Sequence, residues 1–82
     1  MIGRRVYTDE TGHLLLKEGD YGKDKDGLWF ARPPGCHTGC LSNHQVIEHE
    51  DGTITVSPSI RVADWRTEWH GYLVHGEWTE VK

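Results

Sequence analysis

Glycine and the spacing of apolar residues place the tightest limit on what this chain can fold into. Glycine interrupts almost every window of ten residues in the 82-residue sequence. Apolar side chains do not recur at i, i+3 and i+4 over three turns, as an amphipathic helix requires. The pattern therefore predicts an all-β fold: a small compact sandwich or partly open barrel of hairpins, with at most one short helical turn. No repeat or linker divides the chain, so we expect residues 1–82 to form one domain.

The chain is poor in apolar residues for its size, because only 35% of its residues are hydrophobic. A domain of this length buries roughly 60–65% of the surface that its unfolded chain exposes. Ten glycines and four tryptophans nevertheless favour a tight, turn-rich domain over disorder. We therefore expect added stabilisation from self-association into a homo-oligomer or from a bound ligand, and less readily from a metal ion.

Charge is distributed unevenly along the chain. Residues 1–41 carry six basic and six acidic side chains and residues 42–82 carry three and seven, so the net charge of -4 belongs to the second half. A protein that binds a nucleic acid duplex needs a basic face that displaces counterions. Here only Arg4 and Arg5 are adjacent. We expect no nucleic acid partner.

The longest aliphatic run, Leu14-Leu15-Leu16, is far shorter than a membrane span. The opening residues Met-Ile-Gly-Arg-Arg are not followed by the apolar stretch of a signal peptide. We therefore expect a cytoplasmic protein with no membrane partner. In a reducing compartment its two cysteines are more often thiols or metal ligands than a disulfide.

The N-terminal half predicts one hairpin and one further strand. Residues 4–8 and 13–18 are predicted to pair around the turn Asp9-Glu10-Thr11-Gly12. Residues 19–27 have the charge and glycine content of an exposed loop. Residues 27–32 are predicted as a short strand that ends at Pro33-Pro34-Gly35, because proline supplies no ladder donor.

The clearest turn signal is Asp51-Gly52, which lies between strand-like residues 46–50 and 53–57. A two-residue type I′ turn needs positive φ at both positions, which Asp-Gly tolerates. This register pairs residue 50 with residue 53. It places Ile47, His49, Ile54 and Val56 on one apolar face, and Glu48 and Glu50 on the opposite, outward face.

A second hairpin is predicted near the C-terminus. Pro58 is expected to break the preceding strand, which resumes at residues 60–63 with Ile60 and Val62 inward. Residues 69–74 and 77–81 then pair around His75-Gly76, with Leu73 opposite Trp78 and Tyr72 opposite Thr79. The hairpin then has a core face formed by Trp69, Leu73 and Trp78. Its opposite, polar aromatic face is formed by His70, Tyr72 and Thr79.

Three segments have a distinctive sequence: residues 48–60 (EHEDGTITVSPSI), 69–73 (WHGYL) and 76–78 (GEW). They resemble segments of a family of small bacteriophage and prophage-associated proteins of unknown function, and the resemblance covers roughly residues 14–81. It implies a phage origin and action in the cytoplasm of an infected bacterial host. More distant proteins with a similar Ser-Pro-Ser-Ile segment carry metal-binding Cys and His pairs, but this chain has Trp69-His70 where those proteins have Cys-His.

The segment Cys36-His37-Thr38-Gly39-Cys40, followed by His44, is the sharpest local motif. Two thiolates at this spacing can grip a tetrahedral zinc ion, which needs two further ligands. We expect any zinc to be held by Cys36 and Cys40 with two of His37, His44 and His70. A short-loop disulfide and plain thiols are the alternatives.

A catalytic interpretation needs a nucleophile, a base within hydrogen-bond reach and an orienting third group. Cys36 would be the nucleophile, with His44 or His70 as the base. A chain of 82 residues has little material to enclose a desolvated pocket. We therefore expect no enzymatic activity and no catalytic residues.

The aromatic residues supply the remaining indication of function. Trp65 lies in a polar segment beside Arg66, where an indole suits stacking on a planar ligand or anchoring a partner protein. The polar aromatic face adds His70 and Tyr72, and Arg61 is a candidate phosphate partner. Trp65, Arg66, His70, Tyr72 and Arg61 are thus the candidate binding residues.

These observations predict a small non-enzymatic phage accessory protein that acts by occupancy, binding a host protein or a small nucleotide-like ligand. The first alternative is a zinc-stabilised structural module that uses Cys36, Cys40 and histidines. The second is a small Cys/His enzyme. No cofactor is expected apart from possible zinc.

Overall fold

The computed structural model describes residues 1–81 and contains eight strands. The strands are β1 (Arg4–Val6), β2 (Asp20–Lys23), β3 (Trp29–Ala31), β4 (Gly39–Cys40), β5 (Gln45–Glu48), β6 (Ile54–Ala63), β7 (Glu68–Val74) and β8 (Glu77–Glu80). They form a first sheet in the order β1-β2-β3-β4 and a second sheet in the order β5-β6-β7-β8. Both sheets contribute to one apolar core, and residues 1–81 contain no helix. The predicted all-β fold is confirmed as a small sandwich.

The N-terminal strand pairing differs from the predicted hairpin. β1 pairs in parallel with β2, whereas residues 13–18 contain no strand and β2 lies in the segment predicted as a loop. Gly22 explains the difference, because a Cβ there would collide with the carbonyl oxygen of Val6 and lie 2.9 Å from Leu14 Cδ1. The missing side chain lets residues 12–16, here called the strap, cross the outer face of the first sheet. The third predicted strand is confirmed as β3.

The hairpin of β7 and β8 follows the predicted register. Leu73 pairs with Trp78 and Tyr72 with Thr79. His75 and Gly76 both have positive φ, 46° and 75°, as a type I′ turn requires. The predicted core face is buried, and the predicted polar aromatic face is exposed.

The hairpin of β5 and β6 is displaced by one residue from its predicted register. The His49 N–H donates to the Thr53 carbonyl at 2.8 Å, so three residues instead of two form the loop, with Gly52 at a φ of 88°. A one-residue shift moves every side chain of a strand to the other face. Val46 therefore turns towards the core, and Ile47 and His49 lie on the outer face with Thr55.

Pro58 does not break the strand as predicted. β6 runs through it as one strand, and its register with β7 shifts between Val56 and Ile60. Such irregular positions accommodate proline because they leave a ladder donor unused. Ile60 and Val62 point inward as predicted.

Trp78 joins the two sheets. Its indole N–H donates to the carbonyl of Gly19 at 2.9 Å inside the core, and its ring meets that of Trp69 edge-on at 5.2 Å. Its backbone N–H donates to the Met1 carbonyl at 2.8 Å, so the first residues of the chain cover the outer edge of β8. One side chain thus connects β8 to the segment that leads into β2.

Arg5 forms a second connection between the sheets, which the sequence did not predict. Its guanidinium lies 4.5 Å from the Tyr7 ring centroid and 4.8 Å from that of Trp29. It donates to Glu48 Oε2 at 2.7 Å and to the Gly52 carbonyl at 3.0 Å. Glu48 is exposed, as expected, but the sequence did not predict that its carboxylate pairs with an arginine of the other sheet.

Replacing Trp78 with Phe should keep an aromatic ring in the core but remove one of the two donors of the Gly19 carbonyl, which also accepts the Arg4 N–H at 3.2 Å. We expect the free energy of unfolding, measured by chemical denaturation, to fall by about 1 kcal/mol. The matched control is Trp65→Phe at an exposed position, which should change it by less than about 0.5 kcal/mol. Equal effects of the two substitutions would contradict the role given to the Trp78 indole.

Candidate functional site

The five candidate binding residues lie on one hairpin, formed by β6 and β7. Arg61 and His70 are directly opposite in the register, and Tyr72 follows two residues along β7 on the same outward face. Trp65 and Arg66 form the turn that connects the two strands. The outward residues Arg61, His70 and Tyr72 are here called the strip, and residues 64–67 the tip.

The tip is a tightly bonded turn. The Asp64 carboxylate accepts the backbone N–H groups of Arg66 and Thr67, each at 2.7 Å, and the Asp64 N–H donates to the Thr67 carbonyl at 2.8 Å. His37 Nδ1 lies 3.3 Å from the other carboxylate oxygen. The hydrogen bond from the Thr67 backbone, followed by that from Arg66 and aided by His37, lowers the pKa of Asp64 below its ordinary 3.8.

The tip presents an indole to solvent. Trp65 is 88% exposed, the highest value among the exposed large hydrophobic residues. The Arg66 guanidinium lies 4.8 Å from its ring centroid, within cation–π range. The sequence predicted this exposure from the polar neighbours of Trp65, and the structure adds that the turn beneath it is held by Asp64.

Two polar side chains of the strip, Arg61 and His70, already have partners within the hairpin. Arg61 Nε donates to Glu68 Oε2 at 3.0 Å, and His70 Nε2 lies 2.8 Å from the Ser59 hydroxyl. Both contacts are exposed to solvent, where ion pairs are worth little. An incoming partner can therefore exchange them at small cost, but Arg61 is not an unpaired cation waiting for a phosphate.

The four predicted zinc ligands do not come together. Cys36 is 6% exposed within the core, whereas Cys40 is exposed on β4. His44 Nε2 donates to the Ser59 carbonyl at 3.1 Å, and His70 contacts the hydroxyl of the same serine. Among residues 1–81, no group of three or more His, Cys, Asp or Glu side chains has an arrangement that could hold a metal ion. The residues present do not fit a tetrahedral site, and zinc binding stays an untested prediction.

A cleft of about 230 Å³ lies where β4 meets β6, lined in part by His37, Cys40, His44 and Arg61. The accessible thiol in this region is Cys40, while Cys36, which the sequence suggested as a nucleophile, is enclosed by the core. His44 Nδ1 is buried without a hydrogen-bond partner within the described residues. Of the predicted binding residues, Arg61 lines this cleft, whereas Trp65, Arg66, His70 and Tyr72 do not.

The sequence did not predict a hollow of about 400 Å³ on the outer face of the first sheet. Leu14 and Leu16 of the strap and Phe30 of β3 supply its apolar lining, and its rim includes Lys25 and Thr38. The predicted N-terminal hairpin is wrong, and because it placed residues 13–18 in a strand, it gave no indication of this hollow. The alternation of Leu14 and Leu16 about an exposed Leu15 was the available signal, together with the glycine at position 22.

No protein-family model matches the chain, and comparison with curated proteins and with solved structures gave no match. Within residues 1–81 there is also no helix of the length and apolar character needed to cross a membrane.

The two thiols should differ sharply in reactivity with an aromatic disulfide reagent. We expect one fast-reacting thiol per native chain, because Cys40 is exposed and Cys36 is in the core. Cys40→Ser should remove the fast phase, and Cys36→Ser should leave it. Two protected thiols that become reactive only with a chelator would instead indicate a metal site, which elemental analysis of the untreated protein would confirm.

Asp64 should titrate below pH 3.8, because its ionised form accepts two backbone N–H groups. Since the pKa is lowered on folding, its contribution to stability is present above 3.8 and is lost as the pH falls through the folded value. Amide proton shifts of Arg66 and Thr67 followed by NMR should report this midpoint. Asp64→Asn should abolish the transition, whereas a midpoint at or above 3.8 would contradict the hydrogen-bonded tip.

Proposed function

We propose that this protein acts by binding a protein partner through the strip and the tip of the β6–β7 hairpin. The observation that carries the proposal is the 88% exposure of Trp65 on a turn held by Asp64. Tryptophan and arginine are the residues most enriched among those that dominate binding energy at protein interfaces. A pre-ordered turn also lowers the entropy lost on binding.

A protein partner suits this surface better than a nucleotide-like ligand does. Small-molecule sites are concave and bury most of their ligand, whereas Trp65 protrudes at the end of a hairpin and Tyr72 is 46% exposed on an open strand face. Arg61 is paired with Glu68, so a phosphate would have to displace a carboxylate. The flat strip and protruding tip match the extended surface of another protein.

The mode of action follows from this surface and from the resemblance to phage proteins. We infer an accessory protein that works in the cytoplasm of an infected bacterium by occupying a surface of a host protein. Such a role needs contact residues in a fixed geometry and no chemical step. The Asp64 turn supplies that geometry at the tip, and the β6–β7 ladder supplies it along the strip.

Trp65→Ala and Tyr72→Ala should each lower the amount of a specific partner retained by the tagged protein from lysates of a bacterial host. Truncation of a central interface residue costs about 2 kcal/mol or more, so we expect about a 30-fold loss of affinity for Trp65→Ala. Quantitative mass spectrometry would measure the retained partner.

Leu15→Ala is the matched control, because Leu15 is 72% exposed but lies on the strap of the other sheet. It should retain the partner at the wild-type level. A set of retained proteins that is the same for wild type, Trp65→Ala and Tyr72→Ala would overturn the proposed function.

A further inference from the structure

The hollow on the first sheet leaves apolar side chains uncovered in a chain that has few of them. Leu14, Leu16 and Phe30 are each only half-buried, and they line one depression of about 400 Å³. Phe30 pairs with Gly22 across β2 and β3, so its side chain shares the outward face on which Leu14 packs. The depression is large enough to receive an aromatic side chain.

Charged groups at the rim of the hollow are free to accept a partner. Asp24, Lys25 and Asp26 form no ion pair with any of residues 1–81. One carboxylate oxygen of Asp24 accepts the N–H groups of Asp26 and Leu28, which fixes the turn that carries the three charges. The rim therefore presents the order acid, base, acid at a defined position.

The tip carries the complementary features. Trp65 supplies an exposed aromatic ring, and Arg66 on one side and Asp64 on the other supply a cation and an anion. Arg66, like the three rim charges, forms no ion pair among residues 1–81. Trp65 matches the apolar lining and Arg66 the rim carboxylates, whereas Asp64 already accepts two backbone N–H groups and contacts His37 within its own chain.

We propose that the hollow receives Trp65 of a second copy of this chain. His37 contacts Asp64 and directly precedes Thr38 of the rim, so the tip and the hollow lie on neighbouring parts of the molecule. Two copies can then exchange tips across a two-fold axis, each filling the hollow of the other. The apolar surface that the lean core leaves uncovered is thereby buried.

The inference rests on the proposed function in that both use the tip, and it adds a form of regulation. A tip held in the hollow of a second copy is not available to a partner protein, so self-association and partner binding exclude one another. The dimer is then a resting form, and the partner binds the monomer. The contact is small and should be weak, as is usual for transient associations.

Sedimentation velocity over a range of protein concentrations tests the dimer. The wild type should move from 9.4 kDa towards twice that mass as the concentration rises. Trp65→Ala removes the tip aromatic, and Thr38→Arg fills the rim with a bulky cation that repels Arg66. Thr38 is exposed, so its replacement should leave the fold intact, and circular dichroism would confirm this.

Each variant alone should remain a monomer at concentrations where the wild type is a dimer. An equimolar mixture should associate more strongly than either variant alone but more weakly than the wild type, because it restores one of the two contacts: the tip of the Thr38→Arg chain in the hollow of the Trp65→Ala chain. The control Leu15→Ala should dimerise like the wild type. A wild type that stays monomeric, or a mixture that associates no more than the separate variants at the highest concentration, would overturn the proposal, as would a dimer that survives either substitution.

Partner binding separates this inference from the proposed function. Thr38→Arg leaves the tip and the strip unchanged, so it should retain the partner protein as well as the wild type does or better. Failure of the dimer with retention of the partner would remove only the inference. Loss of the Trp65-dependent partner with an intact dimer would remove only the proposed function.

Discussion

The sandwich depends on the buried contact of the Trp78 indole with Gly19. Neither sheet is large enough to bury its own apolar face, and the two have no continuous strand ladder in common. The indole N–H reaches this carbonyl from the second sheet, beside the Arg4 N–H at 3.2 Å, while the ring packs edge-on against Trp69. Arg5 repeats the arrangement at the surface, since its guanidinium lies against Tyr7 and Trp29 and reaches Glu48 of the second sheet. Two side chains with both a flat apolar surface and a directed donor thus replace the large aliphatic core that the composition does not allow.

The parts of the fold that could be predicted from sequence are those set by local interactions. The β7–β8 hairpin follows from the alternation of its residues and from a two-residue turn, and its register is as predicted. The β5–β6 hairpin shows how sensitive this reasoning is, because one additional loop residue moved Ile47 and His49 to the outer face. The parallel pairing of β1 with β2 could not be predicted, since it depends on the space left by Gly22 and on contacts distant in sequence.

The candidate site likewise has parts that local spacing predicts and parts that depend on contacts distant in sequence. The proposed contact residues were predicted together because they belong to one hairpin, in which spacing along the chain determines position in space. The cysteine motif has good zinc spacing, but Cys36 serves the core, so spacing alone did not determine its environment. The hollow could not be predicted because its lining combines the strap with β3, and its rim comes from two further segments, residues 24–26 and Thr38.

The order of the second sheet has a consequence for synthesis of the protein. Strands β5 to β8 are neighbours both in sequence and in space, so this meander closes through short loops and should form quickly. The first sheet is not independent in this way, because the carbonyl of Gly19 binds the indole of Trp78, which lies 59 positions later in the chain. During synthesis the N-terminal half therefore leaves the ribosome with its own strands but without the Trp78 contact that joins the two sheets. The first sheet can therefore become native only after residue 78 has left the ribosome.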